Sequence, residues 1–321
     1  MSGSADKEEI LRLQSIANFL DGYAILGLII IGTIGNLMNI IVFLRHKKLR
    51  QMTNFIFLIM FFFSNLISLW STRFPRSILA ITSTDLLIGN IVYCKIRWLF
   101  GRWSFYMSYI YLCLSCIDRY LNTSRHERLR RMMTFKRAVV ITITISLIYF
   151  IIFIPDGIYY SGSRCTASSS DREIYKQFLN YFNLVMCSSV PMVILYTFSL
   201  LTWYNLYTTR NISHSKLHRQ VNHMMIVEFT VIFLGATPNF VFSIYTEISQ
   251  SMIKSSLRMA QETVVRYVCV ICSFLLYVGT FYIYMIMSSV YRQNVKAAIC
   301  FRKPNQIGTH TLTLKNIKTT H

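Results

Sequence analysis

Seven separate, mostly apolar stretches constrain this chain more than any other feature. A helix needs roughly 20 apolar residues to cross about 30 Å of hydrocarbon. The stretches cover residues 22–44, 55–71, 91–121, 138–160, 178–207, 221–245 and 267–290. The first carries no charge, and the third holds Lys95, Arg97 and Arg102 near its start. None alternates with the period of two that marks a membrane β-strand. Only 14% of the residues are charged and 54% are hydrophobic, whereas a soluble domain carries about 25% charged residues. The expectation is an all-α membrane protein built as a seven-transmembrane helix bundle in one domain.

Charge is distributed by loop. Segments 45–53, 118–137, 210–219 and 292–321 hold 20 of the 33 Lys and Arg residues, with Asp118 and Glu127 as their only acids. The positive-inside rule predicts these segments to be cytoplasmic. Seven crossings then put the N-terminus outside the plasma membrane and the C-terminus inside. The net charge of +20 is accounted for by membrane orientation and contact with anionic lipid, not by nucleic acid. The first 20 residues include Asp6, Lys7, Glu8, Glu9 and Arg12 and lack the apolar core of a cleavable signal. The first span is therefore expected to act as a signal anchor.

In this topology Cys94 and Cys165 are the cysteines facing the oxidising side, which makes them the available disulfide pair. The alternative is two free thiols. Cys94 and Arg119 are 25 residues apart, about 37 Å of helix, which is one membrane crossing. Asp118-Arg119-Tyr120 thus falls at the cytoplasmic edge. These adjacent charges are either ordinary interfacial groups or a switch in which Arg119 is held by Asp118 in one state and released in another.

A cysteine followed 24 residues later by Asp-Arg-Tyr resembles helix three of the rhodopsin-like G-protein-coupled receptors. Gly35-Asn36 resembles the Gly-Asn of helix one, and Thr53-Asn54 the start of helix two. Pro191 and Pro238 resemble the helix-kinking prolines of helices five and six. Thr280-Phe281-Tyr282-Ile283-Tyr284 stands where the family has Asn-Pro-x-x-Tyr. Tyr291-Arg292 resembles the opening of a short amphipathic eighth helix, and Cys300 lies near its end, where members are often palmitoylated. The resemblance implies an N-terminus over 1–21, a transmembrane domain over 22–290, helix eight over 291–301 and a disordered cytoplasmic tail over 302–321.

The pattern also departs from the family. Ser64 replaces the helix-two Asp, so the family's sodium site lacks its acid. Gly235-Ala236-Thr237-Pro238 replaces Cys-Trp-x-Pro, and His218 stands where some members pair a Glu with the helix-three Arg. Gly101 occupies the position of the amine receptors' Asp, and helix seven has no retinal lysine. The Phe-x-Ile-Tyr form in helix seven resembles that of some invertebrate neuropeptide receptors.

Ionisable groups at membrane depth are functional candidates by default, and Glu228 in helix six is one. It is either a switch contacting Tyr284 or Arg119, or a neutral acid bonded to backbone. Arg73, Arg76, Arg102, Tyr106, Glu247, Glu262, Arg266 and Tyr267 collect at the expected outer end as candidate ligand contacts. Arginine suits carboxylates and amide oxygens. The bland alternative is headgroup contact and an interfacial aromatic belt.

The expected function is transduction of an extracellular ligand, a neuropeptide for preference, to a heterotrimeric G protein. The alternative is a chemosensory receptor for a small molecule. A transporter or channel is disfavoured because there is one mid-span acid and no repeat between the halves. No enzyme, cofactor or metal is expected, since no His-Glu-x-x-His or paired intramembrane acids occur.

Overall fold

The computed structural model describes residues 2–45, 50–83, 90–161, 166–167, 171–208, 216–249 and 252–299. Its rods follow the apolar stretches. α1 joins Ser2–Phe19, a π-helical segment Leu20–Ala24 and Ile25–Arg45. α2 joins Asn54–Ser68, π-helical Leu69–Arg73 and Phe74–Thr82. α3 is Ile91–Thr123, and after the single turn Glu127–Arg130 comes α4, Phe135–Tyr159. α5 joins Asp171–Asn183, π-helical Leu184–Ser189 and Val190–Thr208. α6 is Lys216–Ser249. α7 is Ser256–Ser273 and Leu275–Met287, broken at Phe274. α8 is Ser289–Ile299.

Local chemistry sets several of these boundaries. The Asn90 side chain accepts from the Tyr93 amide at 2.9 Å and caps α3. Ser255 caps α7 in the same way. Ser83 closes α2 at φ 55°, the left-handed conformation that ends many helices. Pro75 and Pro191 each follow a π-helical segment. A proline removes a backbone donor, and a wide turn absorbs the mismatch.

Six described helices are long and apolar enough to cross a membrane: Asp6–Arg45, Asn54–Thr82, Phe135–Ile158, Gln177–Thr208, Met224–Ser249 and Ser256–Met287. α3 is the seventh rod. Its 33 residues reach about 50 Å, but it is more polar than the others. Packing explains the exception. α3 lies against α2, α4 and α5, so its charged side chains can meet protein and not lipid. Ile143, Leu147, Ile151 and Ile158 of α4, by contrast, are exposed, as expected of side chains that meet lipid.

Two features lie outside the sequence-based expectation. The segment 1–21 was expected only as a terminus. Ser2–Phe19 is helical, runs straight into the first span and packs on Ser256–Ser273 of α7. The link between α4 and α5 carries a small antiparallel hairpin, β1 Tyr160–Ser161 with β2 Thr166–Ala167, and β1 lies against α3. Helix eight begins at Ser289 and buries Tyr291, Val295, Ala297 and Ala298. Cys165, Cys300, the tail 302–321 and the side chain of His218 lie outside the described residues.

Candidate functional site

At the Arg73 end of the bundle, α2, α3 and α5 enclose a cavity of about 380 Å³. Its walls include Arg73, Arg76, Arg97 and Arg102, together with Trp98, Phe105 and Tyr106. The arginines differ in what they already hold. Arg76 pairs with Asp21 at 3.2 Å and donates to the Tyr267 hydroxyl at 3.3 Å. Arg97 donates to the carbonyls of Ser71 and Thr72 at 2.9 and 3.3 Å. Arg102 pairs at 2.6 Å with Asp156 of α4, whose side chain is fully buried. Arg73 lies over the Phe274 ring at 5.5 Å.

Tyr106 forms part of the cavity wall and packs against Phe153 and Phe182 at 4.7 and 5.2 Å between ring centres. The other expected ligand residues are elsewhere. Tyr267 stacks under Arg266 at 5.1 Å. Glu262 is held by Tyr245, Lys254 and Arg258 at 2.6, 2.6 and 3.1 Å. Glu262, Lys254 and Arg266 border a separate groove on α6 and α7. Glu247 borders neither the cavity nor that groove. Sequence reasoning did not select Asp156 as a site residue. Its signal was present: a lone acid beside Pro155 at the end of the otherwise uncharged stretch 138–160.

Gly101 shows why no acid stands at the amine receptors' position. A Cβ there would meet Thr72 Cγ2 at 2.6 Å and Ser71 Oγ at 3.1 Å. The π-helical stretch of α2 thus fills the space a side chain would need. Gly235 plays a similar part where the family has its Cys-Trp pair. A Cβ there would lie 2.7 Å from the Cys272 carbonyl oxygen, so α6 meets α7 at the break around Phe274.

At the other end, Asp118 and Arg119 are both buried. Asp118 accepts from Thr53 Oγ1 at 2.7 Å and from Asn122 Nδ2 at 2.8 Å. Arg119 meets the first turn of α2. With the Asn54 carboxamide turned to pair each of its atoms, its oxygen accepts from Nη2 and Nε of Arg119 at 2.9 Å each. Its nitrogen then donates to Ser115 Oγ at 2.8 Å. The expected two-residue contact is therefore wider than Asp118 and Arg119. Both charges meet neutral groups at the start of α2, Thr53 and Asn54, because α3 crosses close against that helix. Tyr120 faces α5 and packs on Phe198 at 5.3 Å.

A polar chain joins the remaining rods. Glu228 of α6 is fully buried and accepts from Tyr284 Oη at 2.6 Å and Thr280 Oγ1 at 2.7 Å, both on α7. Tyr284 packs on Tyr291 of α8 at 5.5 Å. The Tyr291 hydroxyl donates to Asn39 Oδ1 of α1. Farther along, Asn36 Nδ2 donates to the Tyr277 carbonyl at 2.7 Å, and Asn65 Nδ2 donates to Asn36 Oδ1 at 3.2 Å. The structure thus brings Glu228 and Tyr284 together directly. Ser64, where the family has its acid, is buried nearby on α2. Among the described residues no group of three His, Cys, Asp or Glu side chains could hold a metal ion.

A bundle of seven membrane-length rods, with a ligand-sized cavity at one end and buried charges under α2 at the other, defines a multi-pass membrane receptor. The model of the rhodopsin family of seven-transmembrane receptors matches residues 35–299, and the chain belongs to that family. Comparison with curated proteins returns no match.

Proposed function

We propose that the chain is a plasma-membrane receptor, N-terminus outside, that passes the binding of an extracellular peptide to a heterotrimeric G protein. The observation that carries this reading is the set of buried polar contacts at the Arg119 end, which we read as a closed state. Arg119 is held by Asn54, and α6 is tied to α7 through Glu228, Tyr284 and Thr280. These polar contacts are discrete and exchangeable, as a two-state element requires. Moving α6 away from α7 would break two hydrogen bonds and open the space beside Arg119. The terminal helix of a G protein would enter there, against the basic loop holding Arg125, Arg128, Arg130 and Arg131. Ligand at the other end shifts the balance only by binding the two states unequally.

In this orientation the hairpin between α4 and α5 is extracellular, and a bond from Cys94 to Cys165 anchors it to α3. The free cysteines among the described residues are Cys113, Cys116, Cys269 and Cys272, and Cys94 is not one of them. The basic loops lie inside, against anionic lipid.

The size of the cavity favours a second reading. About 380 Å³ lies near the lower end of the roughly 300–1,000 Å³ of small-molecule sites. A chemosensory receptor for a small molecule, or a peptide inserting one terminus only, both fit that volume. The deciding experiment is a GTP-exchange assay on membranes carrying the receptor, screened with neuropeptide and small-molecule libraries. Arg119→Ala serves as control and is expected to keep ligand binding and lose exchange. Retained exchange at equal surface expression refutes the coupling role of Arg119.

A further inference from the structure

We infer that the cavity between α2, α3 and α5 recognises a carboxylate group, and that Arg73 is the residue that binds it. The inference rests on the receptor reading above and adds the chemical class of its ligand. It comes from comparing the four arginines that wall one small space. Arg76 has Asp21 and Arg102 has Asp156 as carboxylate partners. Arg97 is tied to two backbone carbonyls of α2. Arg73 has neither a hydrogen bond nor an ion pair among the described residues; its guanidinium lies over the Phe274 face, and Tyr277, Tyr109 and Asp21 act on it only through space.

A half-buried guanidinium with no acid in bonding reach, its nearest one already paired with Arg76, is costly to desolvate and suits a partner that arrives from outside. Stacking on an aromatic face leaves the edge donors of the guanidinium fork available for a planar two-oxygen acceptor. Arg76 and Arg97 line the same space and add positive potential. Trp98, Phe105, Tyr106 and Leu179 give the wall its apolar part, beside Thr72, Gly101 and Asn183. The matching ligand therefore carries one carboxylate on an apolar or aromatic body. Two sources share this chemistry: the free C-terminus of a peptide and a small organic acid.

The test uses the full-length receptor purified in lipid nanodiscs. The probes are matched pairs: indole-3-acetic acid and its amide, decanoic acid and its amide, and a tripeptide library ending in Phe as the free acid or the amide. Binding is read as a shift in melting temperature against concentration, and GTP exchange is read separately. The expected result is that at least one acid protects the receptor and its amide does not. The tripeptide and small-acid arms show which source supplies the carboxylate. Arg73→Gln is expected to weaken that acid roughly tenfold or more, the loss of a charge-assisted hydrogen bond. Arg73→Lys is expected to retain part of the affinity, because the charge stays and the fork does not. Should Arg73→Gln fail to fold, Arg73→Lys and Phe274→Leu carry the test, each lowering affinity for the acid. A panel in which no acid is preferred over its amide overturns the inference, including a panel in which nothing binds. So does an acid whose affinity is unchanged in Arg73→Gln, or in both Arg73→Lys and Phe274→Leu. An acid that binds through Arg73 without promoting GTP exchange supports the site and refutes the transduction reading, so the two fail separately.

Discussion

Replacing Tyr284 with Phe removes one oxygen and leaves the ring packing on Phe43 and Tyr291 in place. The lost oxygen is the one that donates to Glu228 at 2.6 Å across the α6–α7 boundary. Glu228 is fully buried and would keep only the Thr280 bond. Removing one partner of a buried polar group costs about 1–3 kcal/mol. If the bond exists only when α6 rests against α7, the whole cost falls on the closed state. The closed-to-open ratio then drops by roughly 5- to 150-fold, at 1.4 kcal/mol per factor of ten. A receptor that is about 1% open without ligand becomes more than about 5% open. The assay is ligand-free GTP exchange on membranes with matched receptor density. Basal exchange is expected to rise several-fold in Tyr284→Phe and also in Thr280→Val, with less than additive effects in the double variant because both bonds serve one carboxyl group. Unchanged basal exchange alongside a lower melting temperature refutes the reasoning. It would mean that the bond is kept in both states and is structural only.

Asp156→Ala leaves Arg102 half-buried without its acid, and removing one member of a buried pair costs about 3–5 kcal/mol. The purified receptor should melt markedly lower, and Arg102→Met with Asp156→Leu should recover much of the loss. Gly235→Ala forces a Cβ to within 2.7 Å of a backbone carbonyl on α7. Overpacking of this kind costs about 1–3 kcal/mol, and it should both lower the melting temperature and raise basal GTP exchange. Asn122 begins an Asn-Thr-Ser sequon, but its side chain donates to Asp118 and Thr53 at 2.8 and 3.1 Å. Endoglycosidase treatment should leave electrophoretic mobility unchanged, and a shift lost in Asn122→Gln would reverse the proposed orientation.

Much of the architecture could be read along the chain, because the length of an apolar run is a local property that directly measures bilayer thickness. Even α3, the most polar of the rods, was legible as the apolar stretch 91–121, and the spacing from Cys94 to Arg119 matches one crossing. The meeting of Glu228 with Tyr284 was one of two partners open at the sequence level. The pairing of Arg102 with Asp156 and of Arg119 with Asn54 was not foreseen.

Sequence alone determined that seven rods exist, in what order, and where charge collects along them. It also placed Asp118-Arg119-Tyr120 one crossing away from Cys94. Tertiary structure decided which side chains face one another. That depends on how far each rod is rotated about its axis and slid along it, and close approaches between rods set both quantities. Gly101 against Thr72 seats α3 on the widened turn of α2, and Gly235 against Cys272 seats α6 on the broken turn of α7. A shift of one residue turns a helical side chain by about 100°, enough to trade a buried partner for lipid. No pattern within a single helix encodes that rotation.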